Sequence, residues 1–203
     1  MRLVWKRFGR ILIGAAVLIV LGTIGKVGYD YWRDSEASAA GDKFLAALTL
    51  ARDGKKDEAL TALTDLEKDG FGSYPVLARM RSASLLAETD AQGAVNAFTV
   101  IAKDTSVPQA LRDAARLRAA YLLVDTGTYD QVSAEAEQLA TPQSAMRHSA
   151  REVLGLSAFK HEDYARAKEW FDAILADSET PRNVATRAQM LLELISASGK
   201  LSY

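Results

Sequence analysis

The sequence predicts an all-α protein: an N-terminal transmembrane helix, then an α-solenoid of about four helical hairpins with a C-terminal capping helix. Three observations lead there. Ile11 to Gly25 runs fifteen residues without a charge. Beyond it, segments with helical apolar periodicity return at a near-constant spacing. The composition is helical throughout, with four prolines, abundant Ala, Leu, Asp, Glu, Arg and Lys, and β-branched runs almost confined to the leader.

The leader comes first. A helix needs roughly 20 residues to cross a bilayer at about 1.5 Å each, so the bare stretch is short and its flanks must extend it. Lys26 can snorkel outward along its alkyl stem, and Tyr29, Tyr31 and Trp32 suit an interfacial aromatic belt. Arg2, Lys6, Arg7 and Arg10 all precede the run. By the positive-inside rule they hold the amino end in the cytoplasm and leave the remainder to be exported. A cleavable secretory signal is the competing reading. Its best cleavage site, Ala37-Ser-Ala39, lies beyond Asp30, Arg33, Asp34 and Glu36, too far past the apolar run, so an uncleaved anchor is expected.

Five of the 25 Lys+Arg and one of the 26 Asp+Glu precede residue 33, leaving 20 against 25 beyond it. That mildly acidic remainder lacks the basic stripe of a nucleic-acid binder. The chain contains no cysteine, which excludes disulfides, zinc–thiolate sites and thiol catalysis.

Four hairpins follow the leader. The first pairs Phe44–Gly54 with Asp57–Leu63, the second Ala78–Leu86 with Ala91–Phe98. The third pairs Ala114–Val124 with Val132–Leu139, and the fourth Val153–Phe159 with Tyr164–Phe171. Ala59, Ala94, Val132 and Ala167 open the second helices at intervals of 35, 38 and 35 residues. Where two helices of a hairpin cross, only a small side chain fits; Ala47, Ser82, Ala120 and Gly155 take that place. Four residues after each opener, Leu63, Phe98, Ala136 and Phe171 fill the space toward the next hairpin, Ala136 being the weak member. Gly54 and Gly127 suit turns that need positive φ. Pro181 starts a last helix whose Val184, Ala188, Leu191, Leu192 and Ile195 share one side.

From about residue 40 to about 178 the chain therefore resembles the tetratricopeptide repeat family, whose period is 34 residues and whose arrays need end caps. The second hairpin is degenerate, with Thr89 in place of the usual turn glycine. Four unrelated hairpins in an irregular bundle would show some of the same features.

Catalytic signatures are missing. His148 and His161 fall in different elements with no paired-His spacing, so no metal site is expected. No phosphate loop, nucleophile elbow or kinase motif appears. Carboxylate pairs Asp57/Glu58 and Glu162/Asp163 sit at helix amino ends, where the helix dipole accounts for them. Neither enzyme activity nor a cofactor or small-molecule substrate is expected. Arginines recur on first helices, Arg79 and Arg81, Arg112 and Arg116, Arg147 and Arg151; they could hold an acidic segment of a partner, or simply form a solvated face.

In the repeat family the first helices line a concave groove. Superposing the hairpins sends Phe44, Leu48, Leu86, Leu117, Tyr121, Val124, Leu156 and Phe159 inward, with Arg79 and Glu152 among them. Such a surface suits a short apolar peptide or helix; the same residues could equally be packed against neighbouring hairpins. Phe71 and Tyr74, in the loop after the first hairpin, could be exposed anchors, but are expected under the second hairpin.

The expected layout is a cytoplasmic N-terminus and transmembrane anchor over 1–33, a junction over 34–41 and a periplasmic repeat domain over 42–203. This layout, the chain's size and its Tyr/Trp-rich exit from the membrane look like the bacterial ancillary subunits of the SecYEG translocon. That resemblance implies a single-pass inner-membrane protein acting on exported chains. Its implied partners are the translocon and a membrane-bound periplasmic peptidyl-prolyl isomerase or other chaperone. A scaffold in outer-membrane assembly or in cell division and wall synthesis is the alternative.

Overall fold

A computed structural model describes residues 2–197 and 199, with side chains from residue 14 onward. The side chains of Arg2, Lys6, Arg7 and Arg10, and of the first residues of the charge-free run, lie outside the described residues. The chain divides into two compact units, Met1–Pro75 and Val76–Tyr203.

The first unit is a hairpin of α1 (Arg2–Arg52) and α2 (Lys56–Asp69). The expected junction at 34–41 is helical, and α1 runs 51 residues through it without interruption. The sequence there explains this: Ser35 to Ala40 holds neither proline nor glycine. Gly41 has a packing role instead, because a Cβ there would stand 2.8 Å from the Tyr74 hydroxyl. The helix stops at Gly54, whose φ of 81° lets the Lys55 amide reach back to the Leu50 carbonyl at 3.0 Å, the six-to-one bond of a left-handed helix end. Asp57 and Glu58 occupy the first turn of α2, where the dipole favours them. Ala59, Leu63 and Leu66 are buried on α2, and Ala40 and Ala47 on α1, which it packs along. Phe71 and Tyr74 depart from expectation, since their rings rest on α1. Phe71 meets Trp32 edge-on with centroids 5.7 Å apart, and Tyr74 lies 6.0 Å from Phe44.

Between residue 14 and Gly25, α1 carries apolar side chains around its circumference, Thr23 apart. Val17, Leu18, Ile19, Val20, Leu21, Ile24 and Val27 are all exposed, Leu18 to 71%. Among the described residues no helix is long and apolar enough to cross a membrane, so the fold leaves the transmembrane reading of 1–33 unsupported. The charge-free run would measure only about 22 Å along a helix axis.

The second unit holds α3 (Tyr74–Leu86, from Val76 on), α4 (Ala91–Lys103), α5 (Gln109–Thr126), α6 (Tyr129–Ala136), α7 (Arg147–Lys160), α8 (Tyr164–Leu175) and α9 (Arg182–Ala197). Its core is a series of small cores between successive helices, as expected where each repeat contacts only its neighbours. Ala83, Phe98, Ile101, Ala115 and Ala119 join α3, α4 and α5. Ala120, Leu123, Val132, Ala136, Val153 and Leu154 join α5, α6 and α7. Ala158, Ala167, Phe171, Ile174, Val184 and Ile195 join α7, α8 and α9. The last set makes α9 the cap: Val184, Ala188 and Ile195 are buried, with Leu191 and Leu192 packed beside them.

The four openers and the four residues that follow them by one turn are all enclosed. Ala136 suffices because α6 is only eight residues long and ends there. A single 3₁₀ turn, Glu137–Leu139, then carries Leu139 into the same core. Two register details differ from expectation. In α3 Ser82 is half-buried, and the enclosed small residue is its neighbour Ala83. Gly127 is extended, with φ −119° and ψ −175°; it is required for clearance, since a Cβ would lie 2.8 Å from Gln131 Oε1 and 2.9 Å from Leu123 Cδ2. Three of the four second helices, α4, α6 and α8, have a side-chain cap legible in sequence. Asp90 accepts the Gly93 amide, Thr128 and Gln131 form a reciprocal capping box, and Asp163 accepts the Arg166 amide.

Candidate interaction surface

Four of the six recurring arginines, Arg79, Arg116, Arg147 and Arg151, pair with carboxylates of the second helices or the loops after them. Asp104 follows the last turn of α4, and Arg79 of α3 donates to its carboxylate at 2.8 Å. Asp177 stands just beyond α8 and takes two arginines of α7, Arg147 at 2.7 Å and Arg151 at 3.1 Å. Arg147 also pairs with Glu179. Arg151 also donates to the carbonyls of Ala140 and Ala173, bonds that help a buried guanidinium avoid an unmet charge. These bonds hold the Asp177 carboxyl far below the usual carboxylate range, the hydrogen bond from Arg147 being the largest cause. Asp104 is lowered to about 2, chiefly by the Ser106 hydroxyl and then by Arg79. In the third hairpin Pro142 takes the equivalent place. Arg116 there turns to the Ala102 carbonyl at 3.4 Å and to Glu135 at 3.8 Å. The Arg112 guanidinium donates to Gln109, and Arg81 is half-buried in α3.

Of the residues expected in the groove, Tyr121 and Glu152 are brought together. The Tyr121 hydroxyl, on α5, donates to Glu152 Oε2 on α7 at 3.3 Å. Arg187, on the capping helix, grips the same carboxylate with both arms of its fork: Nε to Oε1 at 2.5 Å, and Nη2 to Oε2 at 2.9 Å. Glu152 is thus a buried carboxylate at 5% exposure, satisfied from two neighbouring helices. Burial first, and the adjacent Glu152 charge second, push the Tyr121 phenol above its ordinary range. The bidentate bond to Glu152 raises the Arg187 guanidinium further. At 37% exposure the Tyr121 ring still faces solvent, and the Arg187 side chain is half exposed.

The other expected positions are half-buried. Leu117 and Val124 pack against the α5–α7 core, and Phe159 packs against the α7–α9 core with Tyr164 edge-on at 5.6 Å. Leu156 is partly covered, Leu86 comes within reach of Gly93, and Arg79 serves the Asp104 pair. Phe44 and Leu48 belong to the first unit, where both are half-buried. Of the groove positions expected on the second unit, Tyr121 is the exposed one, and the half-exposed Arg187 shares its Glu152 partner.

Three contributors escaped the sequence reading. Asp104 and Asp177 each stand ten residues after an opener, Ala94 and Ala167, a regularity that could have flagged them. Arg187 interrupts the apolar stripe of α9 between Val184 and Leu191, at helical spacings of three and four. A charge inside a buried stripe is the signal that was available. Among the described residues no group of three His, Asp or Glu side chains could hold a metal ion. His161 closes α7, its Nδ1 lying 2.8 Å from the Ser157 carbonyl.

A family model described as a tetratricopeptide repeat-like domain matches residues 2–196 of the chain. No curated protein and no solved structure matches it.

Proposed function

We propose, starting from the fact that the chain belongs to the tetratricopeptide repeat-like domain family, that it is a membrane-anchored protein-interaction module of the bacterial envelope. Domains of this family are typically interaction modules rather than catalysts, and the repeat fold implies protein partners in general. The finer reading is an ancillary subunit of the SecYEG translocon. The leader anchors it with its N-terminus in the cytoplasm, and the repeats work in the periplasm on exported chains beside a membrane-bound isomerase or chaperone.

The observation that carries this reading is the character of α1. From Ala15 to Gly25 it exposes apolar side chains on every side, Thr23 apart, and the same helix continues unbroken into the first repeat hairpin. A helix apolar on every side needs an apolar medium around it. Tyr29, Tyr31 and Trp32 follow with exposed rings, the side chains favoured at a bilayer interface. The family match takes in this segment from residue 2. Tethering would raise the local concentration of the repeat surface near emerging chains, so weak contacts become effective.

Two measurements test it. Alkaline carbonate extraction should leave the chain in the membrane pellet, and external protease should reach the repeats in spheroplasts while sparing the amino end. A photoreactive residue at Tyr121 should then crosslink to a translocon subunit or an exported chain. A chain released by carbonate would overturn the anchor; adducts only to outer-membrane assembly or wall-synthesis proteins would favour the scaffold alternative.

A further inference from the structure

We propose that the cleft between α1 and α2 is a docking site for an arginine side chain presented by a partner polypeptide. The inference rests on reading the chain as a protein-interaction module, but it uses none of the residues around Tyr121.

The cleft encloses about 300 Å³. Its walls carry Ala39, Ala40 and Ala46 of α1 with Ala62 and Leu66 of α2, so small side chains leave room where larger ones would have closed the gap. Acidic residues dominate the charges at its edge: Glu36, Asp65 and Asp69 against Lys43 alone. No ion pair joins any of these four to another described residue. Asp65 and Asp69 are one helical turn apart, so both carboxylates face the same side of α2.

What this site lacks is visible in the other hairpins. Asp69 stands ten residues after its opener Ala59, as Asp104 and Asp177 do after theirs. All three carboxylates lie at the carboxyl end of a second helix, where the helix dipole disfavours negative charge and favours a cation. Asp104 and Asp177 have that cation, a guanidinium from the first helix of their own hairpin. In the first hairpin, Lys43 sits four residues before the crossing residue Ala47, just as Arg151 sits four before Gly155. The chain supplies a lysine at that place, and Asp69 is left facing an open cleft. Arginine fits better than another cation. Its alkyl stem can lie along the alanine floor, while its planar fork engages two carboxylates at once.

The test uses the full chain in detergent micelles and a fluorescein-labelled, alanine-rich peptide carrying one arginine. Its twin carries citrulline, which keeps the shape and removes the charge. Fluorescence anisotropy should show the arginine peptide binding, and the citrulline peptide weaker by about tenfold or more. Asp65→Asn with Asp69→Asn should weaken the arginine peptide by a similar factor. Lys43→Arg places a guanidinium in the register of Arg151; it should abolish peptide binding while leaving the helical circular dichroism unchanged. Equal binding of the two peptides, binding of neither, or undiminished binding to the variants would overturn the proposal. None of these outcomes bears on Tyr121 crosslinking or carbonate extraction, so the two readings fail separately.

Discussion

Gly155 lies directly against the ring of Phe171: a methyl group at residue 155 would stand 2.6 Å from Phe171 Cε1 and 2.9 Å from Cζ. Both residues are buried, in the first and second helices of the fourth hairpin. The close approach of α7 and α8 therefore depends on the absence of one Cβ. Gly155→Ala should lower stability by about 1–3 kcal/mol through overpacking, despite alanine's better helix propensity. Phe171→Ala should cost about 3–5 kcal/mol. In the double variant Gly155→Ala/Phe171→Leu, the smaller partner should recover part of the loss, giving a non-additive cycle. Urea unfolding followed by circular dichroism would read all of these, and simple additivity would refute the contact.

Acid should loosen the second hairpin through Asp104. Its folded pKa of about 2 lies below the ordinary value of 3.8, so the folded state prefers the ionised form. Stability from this group is complete above about pH 4 and is lost as pH falls through the folded value. Asp104→Asn should therefore lower stability at pH 7 and flatten its fall between about pH 4 and pH 2. Stability against pH, measured for both chains by urea unfolding, checks this; parallel curves would contradict it.

The hairpins were legible because their positions carry opposite demands at fixed spacing. Ala59 and Ala167 must be small, Leu63 and Phe171 must fill, and a period near 35 makes each demand recur. The same logic misplaced Ser82 by one residue, because neighbouring Ser82, Ala83 and Ser84 are all small enough for a crossing. Gly41 looked like part of a linker, yet it lies inside a helix under Tyr74. Glycine in a sequence reports a missing Cβ, not whether a turn or an aromatic ring needs the space. The inner surface was least legible. Glu152 was placed there by superposition, but its partner Arg187 comes from the cap, which follows no repeat rule. The leader's apolar run is plain in sequence, whereas what surrounds it in the cell is a property of its environment.

His148 should make the fourth hairpin weaker in mild acid. The ring is buried in α7, and the Thr180 hydroxyl lies 3.0 Å from its Nδ1. That hydroxyl donates to the Ile174 carbonyl at 2.6 Å, so it accepts from Nδ1–H. Burial first, then the Arg147 charge, lower its pKa; Asp177 opposes them. A histidine with a depressed folded pKa binds fewer protons folded than unfolded. Stability therefore begins to fall as pH drops through the unfolded value near 6.5, and levels off below the folded one. His148→Gln, which keeps a donor for Thr180, should remove this limb and leave the Asp104 limb in place. An unchanged slope between about pH 7 and pH 5 would rule the mechanism out.

The bond between Glu152 and Arg187 ties the cap to the inner surface, and the two partners should respond unequally to removal. Arg187→Leu leaves a buried carboxylate with only the Tyr121 hydroxyl, whereas Glu152→Gln leaves Arg187, half exposed, free to turn to water. Breaking a buried pair costs about 3–5 kcal/mol; exposure of Arg187 screens this one, so a loss of roughly 1–3 kcal/mol is expected for Arg187→Leu. Glu152→Gln should cost less, and Arg187→Leu combined with Glu152→Leu should recover much of the single loss, because no charge is then left buried. Removing Arg187 alone also strips the counter-charge beside Tyr121, so the phenol should titrate at still higher pH in ultraviolet absorbance. Equal losses for the two single variants, with no shift at Tyr121, would mean that the cap is held by its apolar face alone.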